Sequence, residues 1–578
     1  MSNITACPLD CFDACSVIYE DGKLKAKSTG YTQGFLCPHL NHYEKFSTLK
    51  EPTYKGQKIS MQEALEKLKT ILEASEKEKI LHYRGNGNFG LMQEVTDHFF
   101  AKFGATLTDG TLCDGAGEAG IIEGRGSNKN MPLCEIEKSE VVIFWGRNPH
   151  TTSSHILPLL KDKKIIVIDP IETKIAKEAD IYLQIKPHSD IYLAMLVVRF
   201  LHIHDFCDND FIQKYASEFE EYYELTQTVR IKAALEKMGI SLGDIGDILE
   251  LIKNKRLAIV CGVGVQKYRD GADVLRAIDA IGVALGLFGK EGCGISYLGN
   301  SQEGVKSPFS REAKRVSKVD TPFHNYKTVF IQGSNPLSQM PDTSRVIASI
   351  QDVENIIYFG LYENETSAIA DLVIPAKTFL QKSDVRLSYS HNAFLEMPQQ
   401  IESECGISEY ALSHFLCNSF DIELKDELDY LEYFKSFAKE LEDGSLEVMG
   451  RETIPYKDGF DTDDGEFLFL DELEIQKDTD KRLFLITPKS PKSLNSQFQR
   501  ERYVYLHKSL GFIDDTVVLV TSESGSVKLP VKNSELLRED CVLIYSGVKG
   551  LNNLTTSKHS YEGKSAIYQE NRVVVTKT

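Results

Sequence analysis

The sequence predicts a multi-domain α/β protein built on two related, doubly wound parallel α/β halves and closed by a β-rich end. Three observations carry that prediction. Apolar strands ending in glycine turns alternate with helical patterns over residues 59–401, two of those units repeat one another, and residues 482–578 lose the helical period. A chain of 578 residues also exceeds what one simple core serves.

The first segment, 1–58, is marked by thiols. "CPLDCFDAC" places Cys7, Cys11 and Cys15 within one short loop, and "GFLCPHL" adds Cys37, giving C-x3-C-x3-C-x21-C. The other cysteines, Cys113, Cys134, Cys207, Cys261, Cys293, Cys405, Cys417 and Cys541, stand singly. Structural zinc prefers two separated C-x2–4-C pairs, whereas three bunched ligands and a remote fourth suit an iron–sulfur cubane. Spacing favours the cluster and leaves zinc and an unliganded redox thiol set as alternatives. Pro8 and Pro38 stiffen the backbone beside two of the thiols.

Residues 59–401 begin with a capped amphipathic helix: Ser60 and Glu63 form a capping box, and Met61, Leu65, Leu68 and Leu72 share one face. "ILHYRGNGNFG" follows as a strand running into the turn Gly85, Asn86, Gly87. "VVIFWGRNPHTTSS" and "KTVFIQGSNPLSQM" are each an apolar strand ending in G-x-N-P, each followed by a second strand and then by Ala-Asp, at Asp180 and Asp371. Their order matches, so two homologous cores are expected, about 139–190 and 327–380. "RLAIVCGVGVQ" supplies a third turn, with Gly262 and Gly264. Glycine turns at the carboxyl edge of a parallel sheet bring backbone N–H groups close to a ligand and suit phosphates. One such turn reads as a bare tight turn; matched copies point to two nucleotide-like ligands. "IYLAMLVVRFLHIH" is broken by Arg199 and reads as a buried helix, and Trp145 reads as packing. Residues 402–481 are acidic and read as a solvated helical connector, and 482–578 as a separate β-rich domain.

A net charge of −19 argues against nucleic acid and anionic membrane as partners. No stretch reaches the roughly 18 apolar residues of a membrane span. With no secretory or twin-arginine signal ahead of Cys7, a cytoplasmic location is expected.

Taken in order, "CPLDCFDAC…GFLCP", "YRGNGNFG", the paired G-x-N-P cores and the β-rich end resemble the molybdopterin oxidoreductases of the dimethyl sulfoxide reductase family. "NETSAIADLVIPA" is similar to that family's Glu-Thr-Ala-x-x-Ala-Asp-x-x-x-Pro signature; "LITPKSPKSLNSQF" and "GLNNLTTS" are similar to the first and last motifs of its dinucleotide-binding β-barrel, which is of the double-psi type. The resemblance implies a [4Fe-4S] cluster on Cys7, Cys11, Cys15 and Cys37, and molybdenum or tungsten held by two molybdopterin guanine dinucleotides (bis-MGD). Carried over as cofactor contacts are Gly85, Asn86 and Gly87; Gly146, Asn148 and Asp169; Gly262, Gly264 and Gln266; Gly333, Ser334, Asn335, Glu365 and Thr366; and Thr487, Lys489, Asn495, Ser496 and Asn553 from the barrel.

The position that completes the metal's coordination in the family matches Cys113, in "TDGTLCDGAGEAG". Thiolate is a soft donor suited to a metal that cycles between oxidation states, and Gly110, Gly115 and Gly117 would admit a bulky cofactor. The implied function is a two-electron redox reaction on a small substrate, with electrons passing through the cluster to a protein partner such as a ferredoxin or reductase subunit. The alternative is a catalytically inactive, cluster-bearing electron-transfer or scaffold subunit. Asp114 stands where formate dehydrogenases usually carry histidine, so formate is not the favoured substrate. His39 stands where the family often has lysine, and His188 where it often has glycine. His82, His150, His155 and His391 are assigned no role.

Overall fold

The computed structural model describes residues 3–28, 30–45, 47–474, 480–494, 497–498 and 501–578. Its body is a pair of parallel sheets. In the first, the strands lie in the order Ile181–Leu183, Lys164–Ile168, Val141–Trp145, Leu257–Cys261, Gly294–Ser296. In the second, the order runs Arg315–Ser317, Thr106–Asp109, Ile80–Arg84, Thr328–Gln332, Asn355–Gly360, Leu372–Pro375, with the hairpin Thr53–Tyr54 and Gln57–Lys58 on the edge. Every residue of Val141–Trp145, Leu257–Cys261 and Thr328–Gln332 is buried, as expected of parallel strands covered on both faces. The capping box at Ser60 forms and opens the helix Met61–Ala74. The helix Asp190–Ile203 is buried along most of its length, and the Trp145 indole N–H donates to Asp190 at 2.7 Å.

The two sheets repeat one another. Strands 181–183, 164–168, 141–145 and 257–261 of the first correspond in order to 372–375, 355–360, 328–332 and 80–84 of the second. In the first half the fourth strand comes last along the chain; in the second it comes before the others, so the second half brackets the first. Each repeated aspartate performs the same backbone task. Asp180 Oδ2 accepts from Ile165 N–H and Asp371 Oδ2 from Ile356 N–H, both at 2.9 Å, which pins the following strand in register.

Three smaller parts surround the body. Ile4–Ala6, Ser16–Glu20 and Lys23–Ala26 form an antiparallel sheet, and the loop joining its first two strands carries Cys7, Cys11 and Cys15. Residues 483–577 close a six-stranded barrel in the order Leu483–Ile486, Cys541–Leu543, Val504–His507, Ser526–Ser534, Val517–Thr521, Arg572–Lys577. The acidic segment departs from a solvated connector. Leu412, Leu416 and Cys417 pack against Ala64, Leu68 and Phe99, while Phe460, Phe467 and Phe469 enter the core of the first half. Around "EFLFLDELE" burial alternates, with Phe467 and Phe469 inside and Leu468 outside: an extended stretch that buries its aromatics and leaves its carboxylates in water.

At the junction of strands 141–145 and 257–261, Gly262 N–H donates to the Trp145 carbonyl at 2.7 Å, and a Cβ at 262 would collide with the carbonyl of Gly146. Gly262→Ala is therefore expected to cost about 3 kcal/mol through backbone displacement. Gly264→Ala, with nothing within 4 Å of its Cβ, should stay within about 0.5 kcal/mol of wild type. Urea midpoints of the two variants against wild type check this.

Candidate functional site

The site grows from the two places where strand order reverses. In the first half the turns after 141–145 and 257–261 lie side by side; in the second, so do those after 328–332 and 80–84. The geometry recurs. Gly146 N–H donates to Ile168 O at 2.8 Å and Gly333 N–H to Phe359 O at 2.9 Å, with φ of +61° and +55°, which glycine adopts without steric cost. Gly85 sits against the Gly333 carbonyl as Gly262 sits against that of Gly146. Both crevices open into one cavity of about 1680 Å3, well beyond the roughly 300–1,000 Å3 that holds a drug-sized ligand.

Most of the expected contacts line that cavity. Gly146, Asn148, Asp169, Gly262 and Gly264 come from the first half, Gly85, Asn86, Gly87, Gly333, Ser334 and Asn335 from the second, and Thr487 and Lys489 from the barrel. Four stand behind the wall instead. Gln266 is fully buried: its Oε1 accepts from Gly117 N–H at 3.0 Å, and its Nε2 donates to the carbonyls of Cys113 and Val263 at 2.8 and 3.0 Å. It therefore ties the Gly262 turn to the Cys113 loop. Glu365 accepts from Asn335 Nδ2 and Thr366 Oγ1 donates to Asn335 Oδ1, both at 2.8 Å, fixing the amide that faces the cavity. Asn553 donates to Ser526 O at 3.4 Å in the barrel, and its neighbour Asn552 lines the wall. Asn495 and Ser496 lie outside the described residues.

Cys113 lines the cavity just ahead of the helix Gly115–Arg125, and its N–H donates to Thr111 Oγ1 at 2.9 Å. Burial, then the charges of Asp114 and Asp10, push its thiol up to about 12, against the pull of Lys267 and Lys489. Alone it keeps its proton; a soft cation would displace that proton. Burial likewise lifts Asp114 to about 6 and Asp169 to about 7, with Glu118 adding to the first and Asp190 to the second.

The cluster loop forms part of the same wall through Pro8, Leu9, Asp10, Cys11 and Phe12. Cys7 N–H closes the loop on Cys15 O at 2.8 Å. Burial raises all four thiols, Cys7 to about 12, and repulsion from Asp13 and from neighbouring thiols adds to it at Cys7, Cys11 and Cys15. Buried thiols that oppose one another's ionisation suit a bound cation rather than free thiolates, so the donor set fits a metal group. His39 is buried, with Nε2 at 3.1 Å from Ser490 O, and Lys489 Nζ donates to Asp10 Oδ2 at 3.1 Å.

Sequence reasoning missed the cations of the second crevice. Arg84 and Lys318 line it beside Gly85, with Arg311 at its edge. Arg84 and Arg311 share Asp97 at 2.9 and 3.3 Å and approach Glu94 at 3.9 and 3.7 Å. Burial, then the charge of Arg84, lowers the Lys318 ammonium to about 8. No single-chain signal marks these side chains, because the fold alone gathers them from three separate segments.

Glycine turns at two switch points share one large cavity with a thiol loop and a barrel, between two like halves. The chain belongs to the molybdopterin oxidoreductase family: the "Molybdopterin oxidoreductase" family model matches residues 49–397. It is 28% identical over 445 residues to "Probable oxidoreductase YyaE" of Bacillus subtilis, a match covering 70% of this chain and 66% of that protein. It is 24% identical over 452 residues to formate dehydrogenase H of Escherichia coli, covering 65% and 62%. The chain thus spans about two thirds of the length of these two relatives, and less than half of some others it matches. The fold matches that of acetylene hydratase from Pelobacter acetylenicus over all of both chains, with a TM-score of 0.80 at 16% identity. No helix among the described residues is long and apolar enough to cross a membrane.

Lys318 is charged below about pH 8 and neutral above it. Binding of inorganic diphosphate to cofactor-free protein should therefore weaken as pH rises through 8, and Lys318→Met should remove that step. Calorimetric titrations of both proteins from pH 7 to 9 check this.

Proposed function

We propose that the chain is a molybdenum- or tungsten-dependent oxidoreductase acting by two-electron chemistry on a small substrate. Its bis-MGD would lie across the two crevices and its [4Fe-4S] cluster on Cys7, Cys11, Cys15 and Cys37. The observation that carries this reading is the doubled switch point: two matched glycine crevices, one cavity, and Cys113 on its wall. The turns after 141–145 and 257–261 would take one dinucleotide, and those after 328–332 and 80–84 the other. Arg84 and Lys318 would face anionic groups of the second. The carboxyl of Asp169, at the end of its strand, would accept N–H donors of the first.

Cys113 would complete the coordination of the metal, which supplies the soft, redox-active centre at which the substrate is oxidised or reduced. Gln266 would hold the loop that presents the thiolate. Lys267 and Lys489, whose charges favour the ionised Cys113, would offset its negative charge once the proton has left. The cluster loop borders the cavity at Cys11, a short route for single electrons to a protein partner such as a ferredoxin or reductase subunit. Three bunched thiols and a remote fourth favour the cluster over zinc. We place the protein in the cytoplasm, in keeping with unpaired, metal-suited thiols.

Elemental analysis of anaerobically purified protein should find about four irons and one molybdenum or tungsten per chain. Cys37→Ala should lose most of the iron. Cys113→Ser should keep the iron and lose about 100-fold or more in turnover. Iron with neither heavy metal, from a host that makes the pterin, would instead indicate an electron-transfer subunit, and zinc alone would overturn the reading.

A further inference from the structure

His155 belongs to none of the groups above, yet its surroundings are the most completely specified of any histidine near the thiols. The ring is 1% exposed and stacks on Phe35, with centroids 4.2 Å apart. Its Nε2 stands 3.0 Å from the Phe35 carbonyl oxygen. Its Nδ1 stands 2.9 Å from Asp13 Oδ2 and 3.3 Å from the sulfur of Cys15. Asp13 meets further donors: the Tyr31 hydroxyl at 3.3 Å on Oδ1 and the His155 backbone N–H at 3.4 Å on Oδ2.

Counting acceptors places hydrogen on the ring nitrogens. A carbonyl can only accept, so Nε2 carries hydrogen. A carboxylate already supplied with donors also accepts, so Nδ1 carries hydrogen too. The one hydrogen on Nδ1 is shared between Asp13 Oδ2 at 2.9 Å and the Cys15 sulfur at 3.3 Å. Asp13, Cys15 and His155 also have the proximity of a small metal triad, their ligand atoms lying within 4.8 Å. Nitrogen and oxygen ligands of one zinc, however, would stand about 3.3 Å apart, and the 2.9 Å between Nδ1 and Oδ2 is a hydrogen bond.

We infer that His155 is a positioning residue whose Nδ1 hydrogen, shared between Asp13 Oδ2 and the Cys15 sulfur, raises the potential at which the iron–sulfur cluster accepts an electron. The inference rests on the reading of the four cysteines as cluster ligands. Reduction adds one negative charge to the cluster, and donors to its sulfurs favour the more negative state. His155 follows the G-x-N-P turn of the first half. Arg147 of that turn hydrogen-bonds Ser153, and Gln33 Nε2 reaches the His155 carbonyl at 3.1 Å. One short segment thus carries both a wall of the cavity and the donor to a thiol of the cluster loop.

The test is an EPR-monitored redox titration of the full chain, purified anaerobically, with iron counted in parallel. His155→Ala should keep its iron and reduce the equilibrium constant for cluster reduction about tenfold, a fall of about 59 mV for one electron. His155→Gln, which can retain a neutral donor, should fall by less. Wild-type protein labelled with 15N-histidine should show a nitrogen coupling to the reduced cluster in pulsed EPR, lost in His155→Gln. Wild-type protein with its iron but no such coupling overturns the inference, as does an unchanged potential in both variants. If the variants lose iron, the labelled wild type decides alone. Wild-type protein that binds no iron defeats the reading of the cysteines themselves, a separate result.

Discussion

The structure turns on a close approach of backbone to backbone. At each switch point the first residue past one strand occupies space in which a side chain would meet the carbonyl of its neighbour, at Gly262 against Gly146 and at Gly85 against Gly333. Neighbouring strands can then end together, and their turns can spread apart into a crevice. Because the arrangement is made twice, the two crevices open into one cavity. The small thiol sheet, the barrel and the segment 402–481 pack around that pair of sheets as wall, lid and outer support.

The second governing factor is where charge sits. The chain carries a net charge of −19, yet Arg84, Arg147, Lys267, Lys318 and Lys489 line its cavity. Holding cations in partly dehydrated positions raises the energy of the empty protein, as the lowered Lys318 and Lys267 show. The four thiols present the converse, for burial holds them neutral. Anions in the crevices and a cationic metal group on the sulfurs would relieve both strains together. Binding of such groups would therefore be coupled to folding by electrostatics, in addition to any shape complementarity.

Much of this was legible from the residues in order. Glycine in G-x-N-P and in the Gly262 turn is demanded by the backbone, so the requirement is written locally and recurs where the geometry recurs. Asp180 and Asp371 were visible as a repeat, but their task, pinning the next strand by accepting an N–H of the strand before, depends on a register that only the sheet reveals. Gln266, Glu365 and Thr366 read as contacts and serve as braces, because a motif marks which residues matter and not which way they face. The aromatics of 402–481 were masked by surrounding carboxylates. Arg84, Lys318 and His155 left no trace, since their partners come from distant segments. Asp13, within the quoted thiol loop, was in view, and its partner was not.

The bracketing of one half by the other carries a consequence for how the molecule is made. Strands 80–84 and 106–109 leave the ribosome well before 328–332, 355–360 and 372–375, with the whole first sheet synthesised between them. The first sheet can close early; in the second, Ile80–Arg84 and Thr106–Asp109 can pair with each other but must wait for their outer neighbours Thr328–Gln332 and Arg315–Ser317. Long-range pairings of this kind form slowly and leave apolar strand edges open to wrong partners in the meantime. The shared cavity comes into being only once the later strands have joined the earlier ones. Any group it encloses must therefore enter after both sheets have formed.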